Sequence, residues 1–68
     1  MTYFQKTLKK LMDDKGLNQL KLAGEINIRQ SQVHNWLAGK SLPGYLSIRK
    51  LAQYFNVSCD VIVGRDEE

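Results

Sequence analysis

The sequence predicts an all-α fold of five helices, the second and third short and joined by a tight turn. Three observations predict it. Apolar residues recur at i, i+3 and i+4, the spacing of one helical face, in the segments around Leu8, Val33 and Leu51. Residues favoured at helix starts (Thr2, Asn18, Ser58) stand before three of the helical stretches, and residues that tolerate a left-handed backbone (Gly16, Asn27, Gly39, Asn56) follow four of them. No convincing strand, repeat or low-complexity segment interrupts the pattern.

The first helix is expected from Thr2 to Lys15, where Phe4, Leu8, Leu11 and Met12 share one stripe. Thr2 with Gln5 three residues on matches a capping box, and Gly16 is placed to end the helix. Lys6, Lys9 and Lys10 fall off the stripe and read as solvated charge. Leu17 can fold back as a hydrophobic staple before Asn18, the N-cap of a second helix over about Gln19 to Glu25 with Leu22, Ala23 and Ile26 inward. Ala23 is small enough for another helix to cross closely, and Asn27 tolerates positive φ, so the chain turns sharply there. Ile28 anchors the turn, and a third helix occupies about Arg29 to Ala38, capped by Gly39. Pro43 cannot continue a helix, and Gly44 is an acceptable cap for a fourth, Tyr45 to Phe55, striped by Ile48, Leu51, Ala52 and Phe55. Val57 plugs the core, and Ser58 caps a short fifth helix over Cys59 to Val63. Residues 1–64 thus form one domain, with Arg65 to Glu68 a frayed acidic tail.

A chain of 68 residues is near the lower limit for folding without disulfide, metal or partner, so one small core is its ceiling. The 43% of apolar residues suffices for that core and is too many for a disordered chain. Cys59 is the only cysteine, which excludes an internal disulfide and fits a reducing cytoplasm. There is neither a membrane-length apolar run nor a signal-peptide core, so a soluble, cytoplasmic protein is expected. Charge is uneven. Residues 1–50 carry nine Lys or Arg against Asp13, Asp14 and Glu25, a net +6, whereas residues 51–68 carry Arg65 against Asp60, Asp66, Glu67 and Glu68, a net −3, which together make the +3 of the chain. A basic body suits a phosphate-bearing partner; a merely solvated surface accounts for it equally well.

The chemistry concentrates between Asn18 and Lys40. On the third helix Val33, Trp36 and Leu37 cluster on one side, while Ser31, Asn35 and Ala38 lie opposite, with Gln32 and His34 flanking and Gln30 in the first turn. This outward side holds amides, a hydroxyl and an imidazole but no carboxylate, a set suited to base edges in a polyanionic groove. His34 fits a DNA contact and a solvated side chain equally, and Trp36 reads as packing. Cys59 reads as a small buried or interface residue. One Cys and one His give no metal cluster, and no Ser/His/Asp set, glycine-rich phosphate loop or carboxylate pair suggests an enzyme. No cofactor is expected.

Taken with their spacing, Leu8 and Leu11, Asn18-Gln19, Leu22-Ala23, Ile26, Val33, Trp36, Gly39, Pro43, Leu51-Ala52, Phe55, Val57-Ser58 and Ile62 to Gly64 resemble the lambda-repressor/Cro-like, or Xre, helix-turn-helix family. The resemblance implies a compact five-helix bundle of the lambda-repressor-like type with a helix-turn-helix at its second and third helices, the third entering the major groove of double-stranded DNA. It assigns base reading to Gln30, Ser31 and Asn35, with Gln32 a reader or phosphate contact. It assigns phosphate contacts to Gln19, which would also buttress the third helix, and to Lys40 and Ser41. It implies a dimer contact near the corner of the last two helices, at Val57, Cys59 and Val61, with Tyr54 a candidate. Departures from the family pattern are informative. Asn27 stands where Gly is usual, and Arg29 stands where a Ser or Thr cap is usual, so Arg29 is free to meet a phosphate. Met12 and Leu37 stand where many members bury an Arg and Glu pair; both have become apolar together, which can preserve packing without the ion pair. The Leu42 to Tyr45 loop carries less positive charge than in some members.

The expected function is therefore a sequence-specific DNA-binding transcriptional regulator. The resemblance suggests a repressor of phage or mobile-element type, acting as a homodimer on a near-palindromic operator. Two alternatives stand beside it: a protein-interaction module on the same fold, such as an antitoxin or accessory domain, and the N-terminal DNA-binding domain of a longer repressor.

Overall fold

Local capping sets the helix boundaries. The structure, a computed structural model, describes residues 2–64, so the expected acidic tail, 65–68, lies outside the described residues. Five helices follow in order: α1 (Tyr3–Lys15), α2 (Gln19–Ile26), α3 (Gln30–Ala38), α4 (Tyr45–Phe55) and α5 (Cys59–Val63). The capping box of α1 is complete: the Gln5 N–H donates to Thr2 Oγ1 at 3.2 Å and the Thr2 N–H donates to Gln5 Oε1 at 2.9 Å. Asn18 and Ser58 accept from the N–H groups of Lys21 and Val61 at 2.8 and 3.3 Å. Gly16, Asn27, Gly39 and Asn56 take left-handed φ values of 66°, 59°, 77° and 58°, so the first four helices all end by the same device.

One core joins all five helices. Leu8, Leu22, Val33, Leu51 and Ile62, one from each helix, are at most 1% exposed, so no helix is an appendage. Removing side chains of this size from water stabilises the fold by about 1.5–3 kcal/mol each. Phe4 meets Trp36 edge to face at 6.2 Å, fixing α1 against α3 and placing Trp36 in the core. The radius of gyration, 10.9 Å, equals the roughly 11 Å of a well-packed chain this long. The first turn of α1 also ties down the last helix. Tyr3 Oη donates to the Val61 carbonyl at 3.1 Å, and its ring fills the space a Cβ on Gly64 would need.

Leu11 packs against the core with its stripe as expected, though only half-buried. Other expectations need correcting. Met12 is buried as expected, whereas Leu37 is half-buried and lines an open cleft with Met12, Leu17 and Gln19. Cys59 is exposed, which removes the buried alternative; it faces an open cleft beside Arg49, Ala52 and Asn56. Among the described residues no helix is long and apolar enough to cross a membrane.

Candidate nucleic-acid interface

α2, a three-residue turn and α3 form the helix-turn-helix. The left-handed Asn27 reverses the chain, its N–H and that of Ile28 both reach the Ala23 carbonyl, the latter at 2.9 Å, and Ile28 packs half-buried against the core. Ala23, 3% exposed, lies where α2 and α3 pack together. Arg29 is the N-cap of α3 without a side-chain cap bond. Its carbonyl instead receives the N–H groups of Gln32 and Val33 at 3.0 and 3.3 Å, which leaves the guanidinium exposed and uncommitted to the helix.

Val33 and Trp36 hold α3 down, and the rest follows from a rotation of about 100° per residue. Gln30, Ser31, Gln32 and His34 are exposed, and Asn35 is half-buried. Past the helix end the Gly39 N–H reaches the carbonyls of Asn35 and Trp36, and the Lys40 N–H donates to Asn35 O at 2.9 Å. Lys40 and Ser41 then stand exposed immediately beyond the polar face. Gln19, the first residue of α2, is half-buried at the cleft containing Leu37, where it can support α3 from beside it.

Electrostatics favour a polyanion here. No Asp or Glu occurs between Glu25 and Asp60, a stretch that holds Arg29, Lys40, Arg49 and Lys50. The ion pairs of α1, Lys9 with Asp13 at 3.7 Å and Lys10 with Asp14 at 3.4 Å, are exposed and lie on another helix. Among the described residues Arg29 and Lys40 make no salt bridge, so their charge is not offset locally. No group of three metal-binding side chains exists among the described residues.

At the α4 to α5 corner Val57 and Cys59 line the same open cleft. Cys59 and Val61 are exposed and Val57 is half-buried, whereas the half-buried Tyr54 packs edge-on to Phe55 at 5.1 Å with Lys15 over its ring at 5.2 Å. Two features escaped sequence reasoning. Leu42, Tyr45 and Leu46 are each at least 70% exposed, flanking the loop after Lys40. Gln5, read as a local cap, also donates from Nε2 to the Leu37 carbonyl at 2.9 Å.

The family model described as helix-turn-helix matches residues 8–62, which takes in the turn, both its helices and the scaffold beneath. The chain belongs to the helix-turn-helix family, in its lambda-repressor-like (Xre) branch. Over 64 residues it is 27% identical to the HTH-type transcriptional activator BcrR of Enterococcus faecalis, a match that covers 94% of this chain and 31% of that protein. The fold is similar to the crystal structure of a transcriptional regulator from Listeria innocua, with a TM-score of 0.85 and 29% identity, over 96% of this chain and 61% of that one. This helix-turn-helix chain thus spans under two thirds of the length of either protein.

Proposed function

We propose that this chain is a sequence-specific DNA-binding regulator of transcription that inserts α3 into the major groove. The observation that carries this reading is the polar face of α3: Gln30, Ser31, Gln32 and Asn35 without a carboxylate among them, flanked by Arg29 and Lys40, which make no salt bridge among the described residues. Gln and Asn suit the paired donor and acceptor of adenine, and Ser accepts or donates as the base requires. Gln19, Arg29, Lys40 and Ser41 hold phosphates on either side, which sets the register in which the readers meet the bases.

The finer reading is a homodimer on a near-palindromic operator, its two α3 helices about 34 Å apart to meet successive major grooves. Exposed Cys59 and Val61 support a contact at the α5 side, with Val57 and Tyr54 less available. Repression follows if the bound dimer blocks polymerase, as in a phage or mobile-element repressor. BcrR is named an activator, so the sign of regulation is a separate question that a reporter with the operator placed over or upstream of the promoter answers. Such a role belongs in the cytoplasm, consistent with the single, exposed cysteine.

One observation favours the protein-interaction reading instead, the exposed Leu42, Tyr45 and Leu46. Titration with random duplex at rising salt separates the two. A DNA binder loses affinity steeply as salt rises, and absence of binding at low salt rules the proposal out in favour of a protein partner. Selection of bound duplexes from a random pool then gives the half-site and its dyad spacing, and sedimentation with and without that duplex gives the assembly state.

A further inference from the structure

We infer that Gln5 is a positioning residue for DNA recognition: it holds the C-terminal end of α3, and with it Lys40 and Ser41, at the angle the readers need. The inference rests on the DNA-binding reading above and assigns no contact between Gln5 and DNA. Its side-chain amide is used at both ends. Oε1 accepts from the Thr2 N–H at 2.9 Å and Nε2 donates to the Leu37 carbonyl at 2.9 Å, a bond between residues 32 apart in the chain. The amide orientation follows from its partners, since an N–H can only donate and a carbonyl can only accept.

The carbonyl it meets is not arbitrary. Leu37 lies in the last turn of α3, where carbonyls lack an intrahelical partner and must be satisfied from outside. The Gly39 and Lys40 N–H groups serve Asn35 and Trp36, and Gln5 serves Leu37. Gln5 is the one buried polar residue among the described residues, 9% exposed, so water competes little for this partly buried bond. Its amide also occupies the space beside Gly39, where a Cβ would come within 2.9 Å of Nε2. Phe4 packs on Trp36 one residue earlier on each helix, a contact without a directional bond; Gln5 adds the hydrogen bond that orients the last turn of α3. Ring packing alone leaves the last turn free to fray, and fraying there carries Gly39, Lys40 and Ser41 with it, because they follow directly on Leu37.

Two near-isosteric variants remove the donor, Gln5→Glu with an added charge and Gln5→Met without one, and Leu11→Ala serves as a control that removes core packing from α1 and leaves the Gln5 amide in place. Each is measured for hydrogen exchange of the free protein and for the ratio of affinities for selected and random duplex. The expected result is faster exchange at residues 37–41 in both Gln5 variants, joined only in Gln5→Met by the first turn of α1, which loses the Oε1 cap, with the ratio down about tenfold, the cost of one mis-set base contact, while random-duplex affinity of Gln5→Met stays within about twofold. Leu11→Ala is expected to keep the wild-type ratio. Unchanged exchange at 37–41, or a wild-type ratio in both Gln5 variants, overturns the positioning role. Wild-type protein that prefers no duplex overturns the DNA reading itself, a result visible before any variant is made.

Discussion

The Lys40 N–H donates to the Asn35 carbonyl at 2.9 Å, so the proposed base reader and the proposed phosphate contact are joined by a backbone bond that no side-chain substitution removes. Truncating either side chain therefore leaves the loop in place. Asn35→Ala is expected to weaken selected-duplex binding by roughly 1–3 kcal/mol and relax one base position. Lys40→Ala is expected to weaken all sequences alike and lower the salt slope by about 1. Affinity titrations over a panel of single-base variants at several salt concentrations check both, and a sequence-selective loss in Lys40→Ala contradicts its role.

Leu22 and Leu37 differ in burial and give a graded stability test. Leu22, 0% exposed, is expected to cost about 2–5 kcal/mol on truncation to Ala. Leu37 lines an open cleft that can relax, so Leu37→Ala is expected to cost roughly 1–2 kcal/mol. Urea denaturation measures the two, and equal losses would show that the cleft closes in solution.

Gly39 combines a φ of 77° with a neighbour already in place. Gly39→Ala is expected to cost about 1–2 kcal/mol from the left-handed backbone alone, and more because its Cβ would press on Gln5 Nε2. In a Gln5→Ala background only the backbone part should remain. A double-mutant cycle reads the difference as a coupling energy, and strict additivity removes the clash from the account.

Asn27 offers the opposite case. It holds φ 59° as the only residue between α2 and the turn's apolar anchor Ile28. Asn27→Gly relieves the left-handed backbone but loosens the unfolded chain, and the balance is expected to stabilise by about 0.5 kcal/mol or less. Thermal melts resolve a shift of that size, and a clear destabilisation would mean that the Asn27 side chain contributes something beyond tolerance of positive φ.

Features that depend on neighbours in sequence were legible, and those that depend on neighbours in space were not. Thr2 with Gln5, Asn18 and Asn27 announce helix ends because a cap acts within three or four residues. The polar face of α3 was legible for the same reason, since rotation per residue is fixed. Periodicity says which face turns inward but not whether anything covers the others, so the half-burial of Leu11 and Leu37 and the exposure of Cys59, Leu42, Tyr45 and Leu46 emerged only from the packed fold. Gln5 is the sharpest instance: its short-range bond is written in the sequence, and its bond to Leu37 has no local signature.

The contact of Tyr3 with Val61 and Gly64 has a topological consequence. Its two sides belong to opposite ends of the described chain, so the bundle is already a ring closed by a side chain. A short peptide bridge made there would complete the ring covalently, and reopening it at the exposed Leu42 would part no helix from its packing partners. Such a permuted chain would begin at α4 and end at α3, releasing the far end of α3 from covalent continuity while every contact that orients it is kept.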